Sequence, residues 1–386
     1  MTAIAHRRLT VQPFTRAHVP AVRAFNQRLA AGAAGWRFPE VPRPEWLRQE
    51  PGSDVFQELL LLLEGGDVRG AYVLKHQAVA LRGETHRVGN LYMPLSEGTI
   101  NRAYSLIGAR LFSDAMRREP LLFALGLGGG SAQITELVRA LGWELHQVPF
   151  FFKVIHATRF LRQIRYLRTT ALRARALDLL AFSGAGWLGA SAARALLTRR
   201  PRTHGSSTAE VVGRFGTWAD SIWENCAARY SFAAVRTSVV LNRIYPPGRS
   251  GLRRLKISTS GKTVGYAVIL DEQSHPSESL GNMRVGTVLD VLALPEHAEL
   301  VVALATRALE KRGVDLIISN QSHPAWGAAF RRAGFFEGPS NCRFAAAKQL
   351  ARLIKTVDPE ARELHVTRGD GDWPWGINLR TTPDLS

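Results

Sequence analysis

One aspartate interrupts an apolar run, Thr287-Val-Leu-Asp290-Val-Leu-Ala-Leu294. Burial there would penalise its charged form and raise its pKa, which is what a general base at neutral pH requires. A buried carboxylate that only accepts structural hydrogen bonds fits the same pattern. His323 follows Asn320 and directly precedes Pro324. An imidazole there could shuttle a proton, and a helix start before proline explains it as well.

For anions, Pro94-Leu-Ser-Glu-Gly98-Thr99-Ile-Asn101-Arg102-Ala-Tyr104 offers a glycine for close approach and an arginine for charge, with Glu97 opposed. A plain turn into a helix is the other reading. The comparable Pro295-Glu296-His297-Ala298-Glu299 has two carboxylates and no glycine. Gly128-Gly129-Gly130 looks like a phosphate cradle but lacks the Lys-Ser/Thr of a P-loop, so it reads better as a turn. Cys226 and Cys342 have no CxxC partner and the histidines show no HExxH spacing, so neither a disulfide framework nor a metal is expected.

Local periodicity places these residues on elements. Leu9–Phe14 alternates as a strand, and Arg16–Leu29 carries Val19, Val22, Phe25 and Leu29 at helical spacing behind Thr15. Residues 36–46 read as loop. Strands follow at Glu58–Glu64, Gly70–Gln77 and Arg87–Pro94, the first two joined by Gly65-Gly66-Asp67. Asn101–Met116 is helical, Leu121–Leu127 is a buried strand, Ser131–Leu141 is a helix stopped by Gly142, and Gln147–Ile155 closes this unit.

The order recurs after residue 205. Ala209–Ala228 is predicted helical, Leu252–Ser258 and Thr263–Asp271 form a hairpin around Ser260-Gly261-Lys262, and Gly286–Leu294 is a third strand. Glu296–Arg312 is a helix ended by Gly313, Val314–Ser319 is a strand, His323–Ala333 is a helix ended by Gly334, and Asn341–Ala347 closes the copy. Two copies of one α+β plan are in view.

That plan resembles the GNAT acyltransferase fold. Asn320-Gln-Ser-His-Pro-Ala-Trp-Gly-Ala-Ala-Phe-Arg-Arg-Ala-Gly334-Phe335 is similar to the end of the family's fifth strand and its following helix. Ser131-Ala-Gln-Ile-Thr-Glu-Leu-Val-Arg-Ala-Leu-Gly142-Trp143 is similar to the same helix in the first copy. Arg236-Thr-Ser-Val-Val-Leu-Asn-Arg-Ile-Tyr245-Pro-Pro, leading into Arg254–Leu270, resembles tandem GNAT-like proteins of bacterial exopolysaccharide and envelope-polysaccharide loci, as does the tail Leu364-His-Val-Thr-Arg-Gly-Asp370-Gly-Asp372.

The resemblance implies an α+β chain of two GNAT-like domains, 1–156 and 205–386, each a mixed, mostly antiparallel sheet flanked by helices. A basic, partly apolar helical linker, 157–204, joins them. It implies acyl transfer from acetyl-CoA or another acyl-CoA to an amino sugar or related glycolipid-type polysaccharide precursor. Gly98, Thr99, Asn101, Arg102 and Asn320 would contact the cofactor, and Asp290 and His323 would carry the chemistry. The first copy's loop is the favoured CoA site. Both copies lack the family's Gln/Arg-x-x-Gly-x-Gly/Ala signature, and Phe330 and Val138 stand where the family commonly has a tyrosine acid. Two rivals explain those departures: a Fem-type aminoacyl transferase using charged tRNA, and a non-catalytic envelope-assembly module.

The 386 residues suffice for two domains, and 46% hydrophobic with 21% charged residues suits a globular protein. The net charge of +18 rests on 43 arginines and seven lysines, a skew better read as genome composition than as nucleic-acid recognition. Residues 159–202 hold ten arginines against Asp178 alone. Their apolar run, Leu179–Ala193 around Trp187, is shorter than the roughly 20 residues of a membrane span. It suits either an anionic membrane surface or packing between the domains. His6, Arg7 and Arg8 interrupt the start where a secretory signal would be apolar, so a cytoplasmic protein, peripheral at the inner membrane face if the linker binds lipid, is expected.

Overall fold

The computed structural model describes residues 9–44, 46–126, 132–165, 206–274 and 280–371. The expectations for Gly128–Gly130, for the linker from residue 166 to 204 and for Asp372 lie outside the described residues.

In the first half, β1 (Leu9–Pro13) leads to helix α1 (Val19–Ala31), then β2 (Phe56–Glu64), β3 (Asp67–Leu81) and β4 (Glu84–Ser96) form an antiparallel meander. Gly65 and Gly66 make the β2–β3 turn at φ 58° and 98°, where a side chain would be strained. Helix α2 (Ile107–Arg118) precedes β5 (Leu122–Leu125), and helix α3 (Ala132–Ala140) precedes β6 (Glu144–Val154). Ile107, Leu111 and Phe112 of α2 pack on Leu60, Leu62 and Leu74, each such side chain contributing about 1.5–3 kcal/mol on burial. On the other face, Val22, Phe25 and Leu29 of α1 cover Leu59, Leu61 and Val73. Helix α4 (Ala157–Gln163) ends the half.

The second half starts with β7 (Ser207–Val212), a correction to the predicted helix over 209–228; β7 pairs with β9 (Leu252–Thr259) instead. Thr208, Val211 and Val212 favour extended backbone, and Gly213 and Gly216 separate them from the true helix, α5 (Thr217–Cys226). Then come β8 (Phe232–Ala234), α6 (Ser238–Ile244), β10 (Lys262–Gln273), β11 (Arg284–Ala293), α7 (Ala298–Glu310), β12 (Leu316–Asn320), α8 (Pro324–Arg332), β13 (Phe336–Ala346), α9 (Lys348–Val357) and β14 (Leu364–His365).

The predicted strand at the end of each copy forms, but in exchanged places. The main order is β1-β2-β3-β4-β5-β13-β6-β12-β11-β10-β9-β7, so β13 of the second half sits between β5 and β6 of the first. Phe344–Ala346 pair with Phe123–Leu125, and β6 pairs on its other side with Leu316–Asn320. Neither half closes its own sheet. β8 pairs with both β14 and Val79–Ala80 of β3, a second stitch between the halves. No described helix is long and apolar enough to cross a membrane.

Candidate functional site

Each half contains one parallel strand pair that opens into a gap. β4 meets β5 only at Gly89–Leu122 and Asn90–Phe123, then runs on to Ser96. β11 meets β12 only from Val285–Leu316 to Thr287–Ile318, then runs on to Ala293. Just past each last pair lies a bulge. Register slips so that Met93 and Pro94 oppose Tyr72 on β3, and Leu289 is the extra residue opposite β10. Met93 takes φ 50°, a strained value of the kind found at functional sites.

Beyond the first gap, two short 3-10 turns, Glu97–Thr99 and Arg102–Tyr104, lead into α2. Glu97, the residue expected to oppose an anion, is buried and held by Arg28 at 3.0 Å and Arg69 at 3.2 Å. Its charge is thus answered by Arg28 of α1 and Arg69 of β3. Gly98 serves the loop itself, because a Cβ would come 2.4 Å from the Tyr104 carbonyl oxygen. Thr99 donates its hydroxyl to the Ser96 carbonyl at 2.8 Å, and Asn101 accepts from the Ala103 N–H at 3.0 Å. Arg102 is exposed. No side chain caps α2 and no acidic residue occupies its first turn, which leaves backbone donors and the positive dipole end for an anion. The corresponding helix α7 carries Glu299 in its first turn, paired with Arg332.

The second gap is filled by the chain itself. Gln321 bridges Thr367 in antiparallel sense, the Ser322 N–H donates to the Val366 carbonyl at 3.0 Å, and Arg368 donates to Asn320 Oδ1 at 2.7 Å. Gly369 then lies so close to β11 that a Cβ would be 3.2 Å from the Leu289 carbonyl and 2.0 Å from the Tyr245 hydroxyl. Residues 364–370 therefore occupy the space between β11 and the end of β12.

Asp290 is enclosed under this wedge. Arg236 Nε donates to both of its oxygens at 3.1 and 3.2 Å, and Thr367 Oγ1 and the hydroxyls of Tyr245 and Tyr266 also reach it. Arg236 Nη2 is 2.9 Å from Asp370 Oδ1. Burial is the largest influence on Asp290 and holds its carboxyl above the usual range, against the pull of Arg236. Both of its oxygens are thus engaged by hydrogen bonds. His323 caps α8, its Nδ1 accepting from the Ala325 N–H at 3.2 Å, and burial lowers its pKa to about 4. No hydrogen bond joins it to Asp290. Asn320 donates to Asn341 at 2.9 Å and lies in the filled gap, apart from the Gly98–Arg102 loop. Phe330 and Val138 are core residues, Phe330 stacked on Phe151.

Sequence reading had not singled out Arg236 or Asp370 as site residues, although both stand in stretches quoted for the family resemblance. It also passed over Lys75, which donates to the Asp370 carbonyl at 2.9 Å, and Asn90, which donates to the same oxygen at 3.2 Å. A buried lysine in a strand was the available signal. Among the described residues, no group of three His, Cys, Asp or Glu side chains could hold a metal.

This architecture is the GNAT-like acyltransferase fold, a mixed sheet flanked by helices. No protein-family profile matches the chain, and no curated protein matches its sequence. Solved structures do match. The N-myristoyltransferase of Saccharomyces cerevisiae with bound myristoyl-CoA superposes with TM-score 0.52 at 8% identity, over 90% of this chain and 84% of that one. A GCN5-related N-acetyltransferase from Anabaena variabilis gives TM-score 0.50 at 9% identity, over 88% and 73%.

Proposed function

We propose that this chain is an acyl-CoA-dependent N-acyltransferase whose acyl donor enters the first-half gap between β4 and β5. One observation carries the choice of gap: residues 364–370 already occupy the second, whereas no described strand or bridge pairs with β4 on its β5 side beyond Asn90. The first gap also adjoins the uncapped start of α2 and the exposed Arg102, which suit a pyrophosphate. That the S. cerevisiae neighbour holds myristoyl-CoA on the same fold supports the donor class.

In the reaction, a neutral amine nitrogen attacks the thioester carbonyl, the C–S bond breaks, and CoA leaves as thiolate while the amine proton passes to solvent. In this reading a backbone N–H near the Met93 bulge would steady the developing oxyanion. Acetyl-CoA is the proposed donor and an amino sugar or related envelope-polysaccharide precursor the proposed acceptor. The resemblance of the Arg236–Tyr245 and Leu364–Asp370 stretches to polysaccharide-locus proteins supports that choice. Thermal-shift titration tests the reading: acetyl-CoA should stabilise the protein. Stabilisation by aminoacyl-tRNA instead would favour the Fem-type alternative, and no response to either would favour a non-catalytic module.

A further inference from the structure

A buried carboxylate opens the loop proposed for an anion. Glu97 is 3% exposed, and both of its oxygens are bonded twice, by Arg28 of α1 at 3.0 and 3.2 Å and by Arg69 of β3 at 3.3 and 3.2 Å. Arg69 reaches further. Its Nε donates to Glu64 at 3.1 Å and its Nη2 to Asp67 at 3.0 Å, while its guanidinium lies 4.6 Å from the centre of the Tyr104 ring. The Tyr104 hydroxyl donates to Glu64 at 3.1 Å, and Arg28 donates to the Val68 carbonyl at 2.6 Å. Two arginines thus tie three carboxylates and one ring into a single network.

That network holds the loop at both ends. The Glu97 carbonyl accepts from the Ile100 and Asn101 N–H groups at 3.1 and 2.8 Å, so this one residue joins the loop backbone to α1 and to the β2–β3 hairpin. Tyr104 ends the second turn, just before α2. Packing agrees. A Cβ on Gly32, the residue that closes α1, would come 2.3 Å from Ile100, and one on Gly70, next to Arg69, would come 2.6 Å from Ile107, the first residue of α2. Loop and helix start are therefore seated on α1 and β3 before any ligand arrives.

We infer that Glu97 is the positioning residue of the loop that takes the CoA pyrophosphate, acting through Arg28 and Arg69 to hold Arg102 and the first N–H groups of α2 in one arrangement. This rests on the acyltransferase reading and adds which side chain sets its donor site. Charge alone argues the reverse, because a carboxylate repels an anion and its removal would tighten CoA binding. Positioning argues for weaker binding, since a loosened loop must be ordered when the ligand binds. The two accounts differ in sign.

The test uses the full chain, acetyl-CoA as the probe, and S-acetylpantetheine as a thioester without pyrophosphate or nucleotide. Calorimetry follows acetyl-CoA, and saturation-transfer NMR follows the weaker thioester. The unaltered protein should bind acetyl-CoA more tightly than S-acetylpantetheine. Glu97→Gln should weaken acetyl-CoA binding about tenfold, the value of one charge-assisted hydrogen bond, and leave S-acetylpantetheine unchanged. General loosening of the fold would not produce that split. Tyr104→Leu removes the ring beside Arg69 at a half-buried position, so it keeps the fold and should move the same ratio in the same direction. No binding of either thioester by the unaltered protein would overturn the acyltransferase reading and the positioning role together. Acetyl-CoA bound no better than S-acetylpantetheine, or a Glu97→Gln protein that binds acetyl-CoA equally well or more tightly, would overturn the positioning role and leave the transferase reading standing. Equal loss of both thioesters would show Glu97 to serve the fold alone and would overturn the positioning role too.

Discussion

Arg236 joins two aspartates that lie 80 positions apart in the chain: its Nε spans both oxygens of Asp290 at 3.1 and 3.2 Å, and its Nη2 takes Asp370 at 2.9 Å. The guanidinium is 2% exposed, so all three charges sit in the core. Asp370 in turn offers its carbonyl to Lys75 and Asn90 across the boundary between halves. One arginine thus fixes the C-terminal segment in the second gap and against the first-half sheet.

Removing that arginine should leave two buried carboxylates unpaired. Arg236→Met is expected to cost about 3–5 kcal/mol in urea denaturation, the range for breaking one partner out of a buried ion pair. Asp290→Asn should also lower the denaturation midpoint while turnover persists. A variant Asp290→Asn that keeps its stability and loses all activity would restore this residue as the general base.

Stability should fall with acid between pH 6.5 and 4. The His323 pKa is about 4 in the folded chain because burial penalises the imidazolium, against 6.5 unfolded. The unfolded state therefore binds more protons in that window. The contribution is complete above pH 6.5 and is lost as pH falls towards 4, amounting to about 3 kcal/mol at most. Buried His365 acts in the same direction. His323→Asn keeps an acceptor for the Ala325 N–H and removes the titration, so its stability profile should be flatter over this window in pH-dependent urea melts.

Arg102→Glu should weaken acetyl-CoA binding at least about tenfold by calorimetry, since one charge-assisted contact is worth about 1.5–3 kcal/mol. Gly98→Ala should weaken it too, through the loop: its Cβ would strike the Tyr104 carbonyl. Unchanged affinity for Arg102→Glu would remove the anion from this loop.

Expression of residues 1–156 or 205–386 alone should give aggregated or poorly dispersed chains by NMR, because each fragment exposes strand edges that the other covers. Mixed during refolding, the two should restore one dispersed spectrum. A well-folded 1–156 by itself would show that β6 can return to β5.

The second-half helix at 217–226, mispredicted as 209–228, shows how local reading fails: β7 becomes a strand because β9 offers it an edge, a fact outside its own window. The short β8 and β14 and the helices α6 and α9 also went unread, whereas periodicity sufficed for the longer elements named next. The meander, α1, α2, α7 and α8 follow from alternation, 3.6-residue spacing and glycine stops that act within a few residues. The glycine and arginine of the Gly98–Arg102 loop, proposed for an anion, were legible for the same reason, although the packing role of Gly98 and the neutralisation of Glu97 by Arg28 and Arg69 were not.

The sequence by itself thus determined the α+β plan and the buried position of Asp290, since each is written in neighbouring residues. Tertiary structure alone decided which strand stands beside which, that the second gap is filled by residues 364–370, and that Asp290 meets Arg236. A strand's periodicity fixes which side chains point inward but leaves its partner open, and a carboxylate's neighbours in space come from segments that no local pattern connects.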